Sequence, residues 1–388
     1  MSLDFRSDVV KLWSPPVQSA ELQEVPIWSV HKPHGVIPPQ LIERAMDYYR
    51  LKGKDNIVAD FERQQQHSHL VRAARPQKQA AHQEPGILPG GQKLEVYTAK
   101  NKKKLRKELV RDSEKRSTDR SVNEAYDGAK QTYDLLFLVY KTKSIDGKRF
   151  PLIATVHYDR NYSNAFWDGD EMVYGDGDRK IFNSFTSSID ICGHEIGHGA
   201  TQELCGTKVS LNGKPTGVDY ENEAGGINEA YSDILGIQVK QRFNGQTAEQ
   251  SDWLIGQGLL SKRKGKEYAL RSMSNPGTGF VDHPDLGTDS QIWKYGDYKK
   301  RAEQGEVDPH DSSGVVNKAF YVSAMKLGGS TWEKAGRIYF ESMPYIKVDE
   351  TFAGLADKTI ATAIRIFGEG SAEESAVREG WKVVEVKL

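Results

Sequence analysis

Apolar positions change their period several times along the chain, and those changes divide it. Leu41, Ile42, Ala45 and Tyr49 fall three or four residues apart and predict one helix face, with Pro38 and Pro39 fixing the entry. The polar stretch 62–83 interrupts that pattern and reads as a linker, and the peptide Glu84-Pro-Gly-Ile-Leu-Pro-Gly-Gly91 is a strong break. Beyond it, β-prone runs such as Leu152–Tyr158 alternate with a helical pattern over 122–140. Further on the period is helical over 315–327, 331–343, 351–367 and 372–381, with Gly328-Gly329-Ser330 and 368–371 as breaks. The pattern predicts an α+β chain in three parts: an arm, helix and linker over 1–83, a β-rich lobe over 84–204, and a mostly helical lobe over 205–388, with a cleft between the lobes.

Candidate chemistry enters at His194-Glu-Ile-Gly-His198. On a helix, side chains four apart share a face, so both imidazoles can grip one metal ion while Glu195 projects beside them. This is the H-E-x-x-H arrangement of zinc hydrolases, and chance would supply roughly 0.04 such matches in a chain of this composition. A zinc site needs a third protein ligand. Glu229 and Asp233 lie one turn apart on a predicted helix running to about Val239, with Ile227, Ala230, Ile234 and Ile237 as its apolar face. One of these acids can bind zinc and the other can accept a hydrogen bond from the far nitrogen of a ligand histidine. Taken alone, the same segment is an ordinary amphipathic helix with solvated acids.

Several further motifs, in a consistent order, resemble the thermolysin-like zinc metallopeptidases from about Leu94 onward. They are Asn164-Ala-Phe-Trp167, Met172-Val-Tyr-Gly-Asp-Gly-Asp178, Asp190 four residues before His194, Leu270-Arg-Ser-Met-Ser-Asn-Pro276, and His310 followed by Ser313-Gly-Val-Val-Asn-Lys318. The peptide His34-Gly-Val-Ile-Pro-Pro-Gln-Leu41 resembles the short propeptide of the protealysin-like group. The resemblance implies the two-lobed fold and a zinc endopeptidase, with zinc held by His194, His198 and Glu229 and a metal-activated water deprotonated by Glu195. It assigns Asp233 to a ligand histidine and His310 and Tyr220 to the oxyanion. Arg271 would bind a substrate carbonyl, and Asn164 with Ala165 would pair with the peptide as an added strand. Phe182, Phe185, Ile191, Ile255 and Leu270 would line the pocket after the cleaved bond, predicting a bulky apolar residue there. The N-terminal segment would be an intramolecular inhibitor that the enzyme itself removes.

The chain also departs from the family. The 31 positions between His198 and Glu229 exceed the family spacing, and 206–219 reads as an inserted hairpin turning at Asn212-Gly213. His310 has two candidate orienting carboxylates, Glu306 and Asp308. Asp190 and Asp252 match two calcium positions of the larger relatives, but Lys240, Leu254 and Gln257 stand at the others. That set lacks the oxygens a calcium ion needs, so the calcium pair is expected to be absent, with the Lys240 ammonium near the two acids.

Composition narrows the partners. The 388 residues are 37% apolar, enough for two or three domains with real cores. A net charge of −1 gives no global attraction to nucleic acid or to an anionic membrane, and neither is an expected partner. The basic run 100–107 reads as a solvated hairpin. No stretch approaches a membrane span. The opening residues lack a basic start with an apolar core, so no signal peptide is visible and the expected location is cytoplasmic as synthesised, with leaderless export left open. Cys192 and Cys205 sit at opposite ends of the metal-binding helix, roughly 20 Å apart if it is continuous, too far for one bridge. Gly193, Gly197 and Gly199 cost that helix about 1 kcal/mol each relative to alanine, which packing must offset. A metal-bearing protein without peptidase activity and a zinc hydrolase of another substrate class are the competing readings; the presence of Glu195, Asn164 and Arg271 argues against both.

Overall fold

The computed structural model describes residues 35–74, 92–206, 217–305 and 307–388. The N-terminal arm, the break at 84–91 and the turn of the inserted hairpin lie outside the described residues. The chain enters through helix α1, Pro39–Leu51, whose buried face is Leu41, Ile42, Ala45, Met46 and Tyr49, as the periodicity predicts. A second helix, α2, spans Asp55–Ala74 and corrects the reading of 62–83 as linker from its first residue. Its Glu, Gln, Arg and Ala content favours helix without an apolar stripe to announce it. Val58 and Phe61, one turn apart, supply the anchor, and the Phe61 ring stacks on Tyr49 at 6.0 Å.

The first lobe is built on one five-stranded sheet. Its strands are β1 Leu94–Lys102, β2 Glu108–Arg111, β3 Leu152–Tyr158, β4 Ala165–Trp167 and β5 Met172–Tyr174, in the order β2-β1-β3-β5-β4. β3 runs parallel to both its neighbours, and the two outer pairs are antiparallel. The basic run spans the end of β1 and the turn into β2, and β4 forms an edge. Helix α3, Arg120–Asp134, is capped by the Asp119 carboxylate, which accepts from Ser121 and Val122 N–H. It gives way to a π-helical turn at Leu135–Val139, so the helix expected over 122–140 is not uniformly α-helical.

Helices α4, Ile189–Leu204, and α5, Asn222–Asn244, join the lobes. α5 corrects the amphipathic reading: every residue from Ala224 to Gln241 is buried, so Glu229 and Asp233 are not solvated acids. A short pair, β6 Leu254–Ile255 and β7 Arg271–Ser272, follows. The rest is helical: α6 Tyr295–Ala302, α7 Pro309–Ser312, α8 Gly314–Leu327, α9 Ala335–Ser342, α10 Phe352–Phe367 and α11 Ala372–Val383. The helix expected over 331–343 splits into a 3-10 turn and α9 at Lys334, whose φ of −126° and ψ of −81° no α-helix accommodates. Both cysteines are free and buried. Among the described residues no helix is long and apolar enough to cross a membrane.

The glycines of α4 explain their own cost. A Cβ on Gly193 would stand 2.9 Å from the Gly236 Cα, and one on Gly197 would stand 2.7 Å from the Ser232 Cα, so both mark where α4 and α5 touch backbone to backbone. On α5, a Cβ at Gly236 would strike the Asp190 carbonyl. Gly199 faces the first lobe, where a Cβ would meet Ile145 at 2.8 Å and Trp167 at 3.0 Å. Gly197→Ala should therefore destabilise the protein by about 1–3 kcal/mol through overpacking, although alanine favours helix. Thermal unfolding checks this, and a midpoint equal to or above that of the wild type would dismiss the close-approach account.

Candidate metal centre and cleft

The interhelical contact brings the predicted ligands together. Side-chain atoms of His194 and His198 on α4 and Glu229 on α5 lie within 4.8 Å of one another, all buried. Glu229 Oε2 is 3.4 Å from His194 Nε2, and its Oε1 is 3.5 Å from His198 Nε2. The other ring nitrogens are occupied: His194 Nδ1 is 2.8 Å from Asp233 Oδ1, and His198 Nδ1 is 2.9 Å from Asn228 Oδ1. With Nδ1–H donating to those oxygens, both Nε2 atoms present lone pairs to one another across 3.1 Å. Glu229 Oε2 and both Glu195 oxygens make no close, well-aligned hydrogen bond; the His194 ring and the Trp167 backbone are the groups that approach them. Converging lone pairs and carboxylate oxygens in a buried place fit a divalent cation, and two imidazoles with one carboxylate suit zinc.

Electrostatics shows the same convergence. Burial works against the Glu229 charge, but His310, His198 and His194 around it hold the carboxyl well below its usual range. Asp233 is also lowered despite burial, because Arg271 and His194 face it. Glu195 has less compensation: burial pushes it up to about 8, with His194 opposing.

The remaining predicted residues surround this cluster. Asp233 takes the ligand-supporting role and more: its carboxylate accepts from Arg271 Nε at 2.9 Å and Nη2 at 2.7 Å, and from Asn317 Nδ2 at 2.8 Å. His310 Nδ1 lies 2.7 Å from Asp308 Oδ1, so Asp308 makes the orienting contact, while Glu306 lies outside the described residues. His310 Nε2 is 3.4 Å from Glu229 Oε1. The Tyr220 hydroxyl, implied by the resemblance as an oxyanion donor, here donates to the candidate ligand Glu229. Phe182, Phe185, Ile191, Ile255 and Leu270 are all buried.

Chain from the N-terminal segment lies along β4. Val36 N–H donates to Ala165 O at 3.0 Å, Ile37 N–H donates to Asn164 Oδ1 at 3.0 Å, and Arg271 Nη1 donates to Val36 O at 3.2 Å. Gly35 forms an antiparallel bridge with Phe166. Asn164, Ala165 and Arg271 thus hold a stretch of peptide backbone, and that stretch is the protein's own N-terminal segment. Sequence reasoning missed Asn228 and Asn317. Asn228 was within reach, since it precedes Glu229 and faces His198 together with Ser232, whose hydroxyl is 3.1 Å from the same Nδ1.

Comparison with known proteins agrees along nearly the whole chain. The family description "Thermolysin metallopeptidase, catalytic domain" matches residues 77–202, and "Thermolysin metallopeptidase, alpha-helical domain" matches 216–386. An extracellular metalloprotease of Pectobacterium carotovorum subsp. carotovorum is 39% identical over 306 residues, covering 78% of this chain and 83% of that protein. Protease PrtS of Photorhabdus sp. (strain Az29) is 34% identical, covering 91% and 92%. Among solved structures, the precursor of protealysin, a metalloproteinase from Serratia proteamaculans, superposes with a TM-score of 0.74 at 35% identity, covering 91% of this chain and 100% of that one. On the metal-binding cluster, the two-lobed fold and these matches, the chain belongs to the thermolysin metallopeptidase family, as a protealysin-like zinc metalloendopeptidase.

Proposed function

We propose that Glu195 is the general base of this endopeptidase, that the cleft prefers a bulky apolar residue after the cut, and that the segment before about Leu94 restrains the enzyme until the enzyme removes it. The observation that carries the reading is the Glu195 carboxylate: it is fully buried next to the candidate metal ligands, with no side-chain hydrogen bond and only the Trp167 backbone approaching it. A structural acid so placed would be costly without a partner, whereas a base awaiting a water is poised there.

Zinc held by His194, His198 and Glu229 would polarise the scissile carbonyl and acidify a water. Glu195 takes the proton of that water as it attacks. His310, oriented by Asp308, faces the carbonyl oxygen as it gains charge, and the Tyr220 hydroxyl is the second donor within reach. Arg271, clamped by Asp233, holds the carbonyl of the residue after the cut. Asn164 and Ala165 align the peptide as an added strand. Phe182, Phe185, Ile191, Ile255 and Leu270 supply the apolar wall that sets the preference.

The calcium pair is replaced, in this reading, by an internal cation. The Lys240 Nζ is 2.8 Å from Asp252 Oδ1, 2.9 Å from Leu254 O and 3.8 Å from Asp190 Oδ2. Asp190 is fully buried, and the Lys240 charge opposes the rise that burial imposes on its carboxyl. The ammonium ties α4, α5 and the segment before β6 together where a calcium ion would otherwise sit.

Three outcomes follow. Casein should be hydrolysed by the processed protein and spared after chelation; His194→Ala, His198→Ala and Glu229→Ala should each lose zinc, whereas Glu195→Gln should keep zinc and lose roughly 10²–10⁴-fold in kcat. Full zinc occupancy in Glu229→Ala would remove it as a ligand. On incubation the full chain should shorten by a cut between Leu70 and Leu94, and the Glu195→Gln chain should not; equal shortening would refer the processing to another protease. Lys240→Ala should destabilise by about 3–5 kcal/mol, the cost of uncovering a buried charge, and millimolar calcium should leave the wild-type unfolding midpoint unchanged. A large calcium-dependent rise would refute the replacement.

A further inference from the structure

The segment in the cleft has a register. Besides the bonds of Val36 to Ala165 and Arg271, Ile37 is held at both its N–H and its carbonyl by the Asn164 amide, the second contact at 3.4 Å. The Gly35 carbonyl oxygen stands 3.0 Å from His310 Nε2. That nitrogen is itself 3.4 Å from the ligand oxygen Glu229 Oε1, so of the three carbonyls Gly35's borders the metal ligands. Val36's carbonyl is turned to Arg271, and Ile37's to Asn164. We propose that the Gly35–Val36 bond occupies the position of the bond to be cut, with Gly35 on the acyl side and Val36 in the pocket that reads the residue after it. The proposal rests on the endopeptidase reading above.

Both side-chain positions agree with this register. Val36 is fully buried, so the position after the bond takes an apolar side chain out of water. A Cβ on Gly35 would collide with the Asn164 amide, which could yield only by giving up its bonds to Ile37. A small acyl-side residue followed by an apolar one is therefore what the site accepts in this pose. Hydrolysis there would add hydroxyl to the Gly35 carbonyl carbon and hydrogen to the Val36 nitrogen. The new amine would stay in place, because α1 begins two residues beyond Ile37 and is docked through Arg44 to the carbonyls of Leu286 at 3.0 Å and Thr288 at 2.9 Å. A cut at this bond alone leaves the cleft filled.

The test uses a decapeptide of the sequence His31-Lys-Pro-His-Gly-Val-Ile-Pro-Pro-Gln40, blocked at both ends, with enzyme processed from the full chain. The expected result is one cut, between glycine and valine, with kcat/KM falling roughly 100-fold when the valine is replaced by aspartate, since a buried apolar pocket would have to take an unpaired carboxylate. In the full chain, Val36→Asp should shorten the lag before casein is hydrolysed, whereas Leu51→Ala, at the exposed end of α1, should not. A cut at any other bond, or an intact decapeptide beside digested casein, overturns the register and leaves the peptidase reading standing. An enzyme that digests neither overturns both. A Val36→Asp chain as latent as the wild type also overturns the proposal, and the decapeptide arm does not depend on how that variant folds.

Discussion

The backbone contact between α4 and α5 is the constraint on which the rest of the structure depends. Two histidines one turn apart can be written into any helix, but a third ligand from another helix reaches them only if the two axes come close. Gly193 and Gly197 on one side and Gly236 on the other remove the side chains that would keep the helices apart. The glycines lower helix propensity by about 1 kcal/mol each, and the contact they permit buries α5 on every side. Burial in turn makes the acids of α5 expensive unless each meets a cation or donor.

Asp233 resolves that expense in a way that joins two halves of the site. Its two oxygens are shared among a ligand histidine, the guanidinium that grips the peptide carbonyl, and Asn317. The charge on Asp233 therefore fixes the His194 ring and the Arg271 fork at once. Any displacement of α5 would be felt at both the metal and the peptide. Asp178 plays a similar joining part: its Oδ1 accepts from Lys180, Ile181 and Phe182 N–H, fixing that loop, while its Oδ2 accepts from Tyr49 of α1 at 2.5 Å. One carboxylate ties the loop before Phe182 to α1.

What was legible in the sequence follows from how locally each feature is encoded. The pairing of His194 with His198 depends only on helical spacing, and β3 and most C-terminal helices are read from short runs, whereas the β4 edge is implied only by the motif resemblance at Asn164-Ala-Phe-Trp167. α2 was missed because its surface is polar and its docking is specific: Gln64 donates to Asn161 O at 3.0 Å and accepts from Ser163 N–H at 3.1 Å, bonds that no hydrophobic pattern reports. The burial of α5 was missed for the opposite reason, since its polar residues face partners rather than water. The choice of Asp308 for His310 needed three dimensions: Asp308 also caps α7, accepting from His310 N–H at 2.9 Å, so one acid fixes both the backbone and the ring of the same residue.

On the proposed reading the same cleft holds a restraining segment and admits substrates, and the hydrogen bonds on β4 are compatible with both demands. Ala165 O, the Asn164 amide and the Arg271 fork recognise backbone, so any extended peptide can satisfy them. The contacts of Val36 and Ile37 are therefore no stronger than a substrate's would be. Their advantage is tethering: a segment on the same chain, docked through Arg44, Tyr49 and Gln64, competes intramolecularly, which a free peptide cannot do. Weak bonds suffice while the connection is intact. With the chain between α2 and β1 severed, as proposed above, the same bonds would have to hold a free fragment against dilution, which ordinary substrate contacts do poorly. On the proposed reading, a restraint assembled from substrate-like bonds would be strong before the cut and weak after it, with no change needed in the cleft itself.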